Sequence, residues 1–545
     1  MSSSPTSEAV SDSAFVCDCG EWARYACVRE PFYKDHEGKR YCVLHYPGEE
    51  KSADFKEAFQ RKIENKDFNF RGVLFPDKVS FIKFEFDRDV DFSSAIFNAG
   101  LHFNFATFSA RVYFHSATFR EVASFNSAIF QKVASFSEAT FGEKADFSFA
   151  AFIKGADFIS TAFNKEAFFS DAAFGAEAGS GAQAYFSGFS VSANFRSATF
   201  GAKADFTFAK FEGADFGNTT FSAEAHFSRS IFDAKADVSA KADFISATFG
   251  SNAYFNDAAF RGEAYFVSAT FIKRANFVSA TFSLMAYFND AAFSAKADFS
   301  FATFGERADF RSATFRDYFT LAGNKDSWVF IGRASLDLQF ARIERPDLVS
   351  LHTLTLRPHW FVNVDARKFD FTNVDWDWRG INEGIEHLKR ELPSSPHRLL
   401  TIACRNLAVN AEENHRYEEA SRFRYIAMDL RRLEEEETPN ITFWKRDWLH
   451  RLYWLLSGYG ENIHRASWLL MGIWIAFSLA YLLTRHIHWH DFSNAFTYSL
   501  GVMTLQKPDP KPSGILTPAL VTLETIIGPL QAALLALAIR RKFMR

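Results

Sequence analysis

From Phe70 to about Leu321, phenylalanine returns at alternating steps of five and six residues: Phe70, Phe75, Phe81, Phe86, Phe92, Phe97, Phe103, Phe108 and onward to Phe141. The true period is eleven. After an interruption around Gly175 to Gly188 the spacing resumes at Phe189, Phe195, Phe200, Phe206 and Phe211, slips near Val238, and runs cleanly through Phe293, Phe299, Phe304, Phe310 and Phe315. An eleven-residue period can wind as a helical supercoil. Geometry excludes that here, because phenylalanines five apart on a helix stand roughly 140° from one another and the alanines two residues before them fall on other faces. In an extended chain, residues two apart point the same way. Units such as Ala145-Asp146-Phe147, Ala204-Asp205-Phe206, Ala247-Thr248-Phe249 and Ala297-Asp298-Phe299 therefore turn Ala and Phe inward and Asp or Thr outward.

The arithmetic fits a β-solenoid whose short faces each supply one inward Phe and one inward small residue. Four faces need two eleven-residue units, so a coil takes about twenty-two residues, and the stretch makes about eleven coils in a rod about 50 to 55 Å long. Most of the 67 phenylalanines, against 27 Gly and 14 Pro, are the material of its axis. The quoted units resemble the pentapeptide-repeat family, and that resemblance implies a mainly β fold, a right-handed quadrilateral β-helix. The six-residue step in every second unit departs from strict fives and implies a wider corner there. An axis filled with Phe leaves no ligand cavity, so function belongs to the surface. Some members of that family mimic duplex DNA and inhibit gyrase-type enzymes through an acidic face; here 23 basic residues accompany 27 acidic ones between 70 and 321, which weighs against that role.

Ahead of the repeats, residues 1–14 are a Ser-rich leader without a basic and then apolar run, so they do not read as a secretory signal. Residues 15–65 form a small zinc-binding-like domain. Cys42-x2-His45 places two ligands on one tight turn, and Cys19 with Cys27 completes a Cys3His tetrahedron for structural Zn2+, with Cys17 as the alternate ligand. Zinc explains how so short a segment with little apolar core holds a shape.

The solenoid occupies 66–325 and degenerate terminal coils 326–380, with Val329-Phe330, Leu336-Asp337-Leu338, Val364-Asp365 and Phe369-Asp370-Phe371 as their remnants. Residues 381–440 change to helical spacing, as in Leu399, Ile402, Ala403 and Leu407, then Tyr417, Ala420, Phe423 and Leu430. Two helices meeting near Asn414 look like a single tetratricopeptide-type hairpin, an adaptor and not a binding array.

Residues 441–545 read as a membrane domain. The uncharged run 466–484 is long enough to cross a hydrocarbon core, and a second apolar stretch at 515–539 is interrupted only by Glu524. Lys445, Arg446, Arg451 and Arg465 precede the first span and Arg540-Arg541-Lys542 follow the second, so both termini are expected in the cytoplasm and the protein in the cell inner membrane. Between the spans, Phe496-Thr497-Tyr498-Ser499-Leu500-Gly501-Val502-Met503-Thr504 resembles the pore helix (491–504) of two-span potassium-channel-like proteins, and Leu523-Glu524 with Gly528 resembles the start of their inner helix. Thr504, Gln506, Lys507, Asp509, Glu524 and Gly528 are the pore-like residues this implies. The filter is missing: Leu505-Gln506-Lys507-Pro508-Asp509 stands where a Thr-Val-Gly-Tyr-Gly loop belongs, and Lys507 repels cations while Pro508 fixes φ. His486, His488 and His490 belong to the loop between the spans.

No catalytic motif is present, and a non-enzymatic protein is expected. Lys plus Arg (61) nearly balances Asp plus Glu (65), which argues against a nucleic-acid partner. The expected partners are the lipid bilayer, further copies of the chain and a cytoplasmic protein docked on the rod. A channel-like protein lacking a potassium filter is the first expectation, and a non-conducting membrane-tethered scaffold the second.

Overall fold

A computed structural model describes residues 15–20, 23–27, 30–174, 193–211, 213–233, 241–324, 329–332, 334–391, 395–437, 448–484, 492–506, 511–512 and 516–543. The chain forms two compact units, Met1–Leu356 with Phe369–Asp375, and Arg357–Lys368 with Trp376–Arg545.

The first unit is a β-solenoid of about twelve turns. Two-residue strands build parallel sheets of 10, 11, 12 and 13 strands. Val90 pairs with Val112 and Val112 with Ala134, so each coil consumes two of the eleven-residue units. Along the axis each ring stacks on the ring one coil away, as Phe125 on Phe147 at 4.7 Å and 2°, and meets a neighbouring column edge-on, as Phe244 meets Phe255 at 5.5 Å and 89°. Inward Phe and Ala are completely buried. Burying one Phe contributes about 2 to 3 kcal/mol, so the column is the main source of the rod's stability.

The two step lengths make two kinds of corner. In the five-residue step a turn closes by a backbone bond such as Ala95 N–H to Phe92 O at 2.9 Å, with Ser94 left-handed at φ 52. The six-residue step has one residue more and a looser bend, as the spacing implies. Left-handed positions recur every eleven residues and mostly hold Ser, Asn or Asp, yet Phe105, Phe149, Phe208 and Phe301 occupy four of them and point into solvent. Strand register survives the breaks in the repeat. Ala156 pairs with Ala193 and Ala214 with Ala242, because extra residues enter only at the corners after Phe174 and Phe232. The shortened step from Phe211 to Ala214 lies at that same corner, between the ten-stranded and eleven-stranded sheets. The interruption at 175–188 and the slip near Val238 themselves lie outside the described residues.

Coils continue past residue 325. Ser335–Asp337, Arg342–Ile343, Val349–His352 and Asp370–Thr372 extend the sheets, and Phe330 bridges to Phe304. Val364–Asp365, read from the sequence as a coil remnant, belongs to no strand; Pro358 starts a 3-10 turn just upstream and diverts the chain there.

At the other end, strands β1 (Phe32–His36) and β2 (Lys39–Cys42) form a hairpin through Glu37-Gly38, both left-handed. Helix α1 (Ser52–Glu64) follows and covers the open end of the axis: Phe55 lies edge-on to Phe75 at 5.4 Å, and Phe59 packs on Phe70 and Phe81. A solenoid end left bare exposes strand edges and apolar rings, and this helix removes that liability.

The second unit is helical: α2 (Ile381–Glu391), α3 (Pro396–Glu413), α4 (Tyr417–Glu437), α5 (Trp448–Ser457), α6 (Ile463–Leu483), α7 (Phe492–Met503) and α8 (Leu516–Phe543). Helices α3 and α4 pack as the expected hairpin around Asn414, the C-cap of α3. Helix α6 begins three residues before the expected span because Asn462 caps it, its side chain accepting from Arg465 N–H. Helices α6 and α8 are long and apolar enough to cross a membrane.

Candidate metal centre and the polar cluster between the apolar helices

Strand β2 ends at Cys42, and the chain turns at once, His45 and Tyr46 N–H both donating to Cys42 O. That turn brings His45 Nδ1 to 3.2 Å from Cys42 Sγ. The arm carrying Cys17 is pinned beside β2 by Asp18 N–H to Arg40 O and Arg40 N–H to Asp18 Oδ2, both 2.8 Å. Cys42 N–H then donates to Cys17 Sγ at 3.3 Å. The ligand atoms of Cys17, Cys27, Cys42 and His45 all lie within 4.8 Å of one another, and all four residues are buried. Thiolates and an imidazole about a tetrahedral Zn2+ stand roughly 3.5 to 3.8 Å apart, so the set fits such an ion after a small contraction.

The group that Cys42 and His45 gather takes Cys17, the alternate in the sequence reading, in the place assigned to Cys19. Cys19 Sγ lies 3.8 Å from Cys27 Sγ and 3.9 Å from the carbonyls of Cys17 and Gly20. Two positions of one short arm compete, and spacing does not rank them. His45 Nε2 lies 2.8 Å from Arg71 O, a carbonyl that only accepts. Nε2 therefore carries the proton and Nδ1 turns its lone pair toward the thiols. No sequence signal announces Arg71, because the contact uses its backbone. Hydrogen bonds from Cys19, Cys27 and Cys42, in that order, hold the Cys17 thiol well below the ordinary thiol range. Donation to Cys17 pushes Cys19 up to about 11 and Cys42 up to about 12. Only a cation lets several of these thiols ionise together.

In the second unit, α6 and α8 pack on each other and α7 packs against both. Glu524 of α8 is fully buried. Tyr481 of α6 donates to its Oε2 at 2.6 Å, and Ser499 of α7 donates to Oε1. Trp474 Nε1–H also ties α6 to Phe496 O of α7 at 3.0 Å. Glu524 thus meets the short helix and does not face an open lumen within the chain. Tyr481 and Ser499 are partners the sequence reading missed; their signal is a hydroxyl within an apolar run. Gly528 lets α7 end against α8, since a Cβ there would lie 2.9 Å from Met503 Cγ. Thr504 Oγ1 donates to Leu500 O, and Gln506 N–H closes the helix end on Gly501 O with Leu505 left-handed at φ 61. Of the other pore-like residues, Lys507 and Asp509 lie outside the described residues, as do His486, His488 and His490.

The pentapeptide-repeat family model, described as nine copies of the repeat, matches residues 114–161. A search of curated proteins finds no match. Among solved structures, full-length QnrB1, described as a plasmid-mediated fluoroquinolone resistance protein, aligns at 14% identity over 58% of this chain and 98% of its own, with a TM-score of 0.13. A trypsin-treated form of QnrB1 aligns at 12% identity over 58% and 96%, with a TM-score of 0.12.

Proposed function

We propose that the chain is a membrane-anchored docking protein: a pentapeptide-repeat rod, closed at its N-terminal end by a zinc-stabilised cap, presents a protein-binding surface on the cytoplasmic side of the inner membrane. The observation that carries this is the outward apolar surface of the two long helices. Trp468 and Leu483 on α6, and Leu516 and Ile526 on α8, are each more than 60% exposed, and large apolar side chains at that density belong in lipid. The basic residues beside both spans support cytoplasmic termini. The filled axis gives the rod no interior site, so its partner is a protein read by outward side chains. Cys17, Cys27, Cys42 and His45 would hold the Zn2+, which supplies four fixed bonds to a segment of little core and so steadies the end of the solenoid.

A second reading, a conducting oligomer, is favoured by one observation, the short helix α7 packed against both membrane-length helices. Conduction requires several copies with their α7 helices around a common axis. Reconstitution of the full chain into planar bilayers separates the two. The docking reading expects insertion without unitary currents in any salt, and currents altered by Glu524→Gln or Lys507→Gly would replace it with the second.

A further inference from the structure

Helix α5 precedes the first long helix and has two unlike faces. One is packed on the protein: Ser457 is buried, and the half-buried ring of Trp454 has the guanidinium groups of Arg432 and Arg465 at 4.6 Å and 4.1 Å from its centroid. The other carries Trp448, Leu449, Leu452 and Leu455, exposed by 55%, 58%, 38% and 50%. At 3.6 residues per turn these four share one arc of the helix. Four large apolar side chains together in water are a cost that a short surface helix does not bear without a reason.

We propose that α5 is an interfacial helix, lying in the plane of the inner leaflet with Trp448, Leu449, Leu452 and Leu455 sunk among the lipid acyl chains. The depth of the helix argues for lipid as the occupant. Gln531 of α8 donates to Leu456 O at 2.9 Å and to Ala466 O at 3.0 Å. One side chain thus holds the end of α5 level with the first turn of α6 and with a point on α8 about 13 Å before the basic residues that end it. Arg465, the last charge before the uncharged run of α6, stacks on Trp454 at this level. Helix α5 therefore ends level with the start of the uncharged run of α6, where hydrocarbon begins on the membrane reading. Its ten residues reach only about 15 Å, half of a hydrocarbon core, so it lies along the boundary instead of crossing it. Tryptophan at the start of such a helix is at home among headgroups, and the arginines on the engaged face remain at the water side.

The inference rests on the membrane reading, and the test separates the two. Leu452→Cys and Leu455→Cys are introduced singly into the full chain, labelled with an environment-sensitive fluorophore and reconstituted into phosphatidylethanolamine–phosphatidylglycerol vesicles containing lipid with a nitroxide near the headgroup. Leu479→Cys on α6 serves as the intramembrane control, Val409→Cys on α3 as the aqueous one, and the labelled native chain gives the background of its own cysteines. The expected result is blue-shifted emission at 452 and 455, quenched several-fold more strongly than at 409. Quenching at 479 with none at 452 and 455 overturns the proposal while leaving the spans intact, and so does a blue shift that nitroxide lipid fails to quench, which indicates a protein partner. Absence of quenching at 479 as well removes the membrane reading and this inference with it.

Discussion

Tyr481 and Glu524, on different membrane-length helices, are joined by a 2.6 Å hydrogen bond in which the phenol donates to the carboxylate. With Ser499 on the second oxygen, one buried side chain fastens three helices. Leaving a buried hydrogen-bonding group without one of its partners costs about 1 to 3 kcal/mol, so Tyr481→Phe and Ser499→Ala should each lower the thermal midpoint of the full chain in detergent. Because both act on one carboxylate, the double variant should lose less or more than the sum. Strict additivity, or no loss in either single variant, would remove Glu524 from its role as the fastening point.

The metal centre can be tested ligand by ligand. The full chain should carry one equivalent of zinc by elemental analysis, and Cys17→Ser, Cys27→Ser and Cys42→Ser should each lose it. Cys19→Ser should retain it, since Cys19 lies beside the cluster and not within it. Zinc lost in Cys19→Ser and kept in Cys17→Ser would reinstate the set first read from the sequence.

Phe147 and Phe149 sit two residues apart and should respond in opposite directions. Phe147 is fully buried in the axis, and Phe147→Ala should cost about 3 to 5 kcal/mol. Phe149 is 60% exposed at φ 59. A bulky side chain held left-handed pays about 1 kcal/mol that asparagine largely avoids, so Phe149→Asn should stabilise the rod by up to that amount. Urea denaturation followed by circular dichroism reads both, and destabilisation by Phe149→Asn would mean that this ring is packed.

His359 gives the helical unit an acid sensitivity. It is buried in the turn Pro358–Phe361 against Gly384 of α2, where a Cβ would come within 2.4 Å of its Nδ1. Burial, then His387 and Arg357, hold its pKa down at about 3, from 6.5. The unfolded chain takes up a proton below 6.5 that the folded chain refuses until about 3, so this stability is complete above 6.5 and is lost as pH falls toward 3. Between about pH 7.5 and about pH 5 the loss should be on the order of 2 kcal/mol, and His359→Leu should remove that share. Tryptophan-monitored unfolding with the same pH dependence in both proteins would exclude His359 as the source.

How much of this could be read in the chain follows from where backbone geometry repeats. The solenoid was legible because Phe92, Phe97, Phe103 and Phe108 already state the coil, and inward and outward residues alternate with no free choice. Phe105 was not legible as a corner residue, since a Phe two places after Phe103 reads equally well as inward. The cysteine cluster was legible in chemistry but not in membership: Cys17 and Cys19 lie on one arm, and the choice between them depends on Asp18 bonding to Arg40. Helices α1 and α5 were hidden, α1 because its phenylalanines merge with the repeat that follows, α5 because ten residues are too few for a period to stand out. The clasp on Glu524 needed Tyr481 and Ser499 brought from 43 and 25 residues away.

The most direct test of the whole account is partition of the full chain beside a chain ended after Glu437, in cell membranes washed with alkaline carbonate. The account predicts that the full chain stays in the membrane pellet until detergent releases it, and that the shorter chain moves to the supernatant with its β circular dichroism intact. A full chain freed by carbonate alone would contradict it.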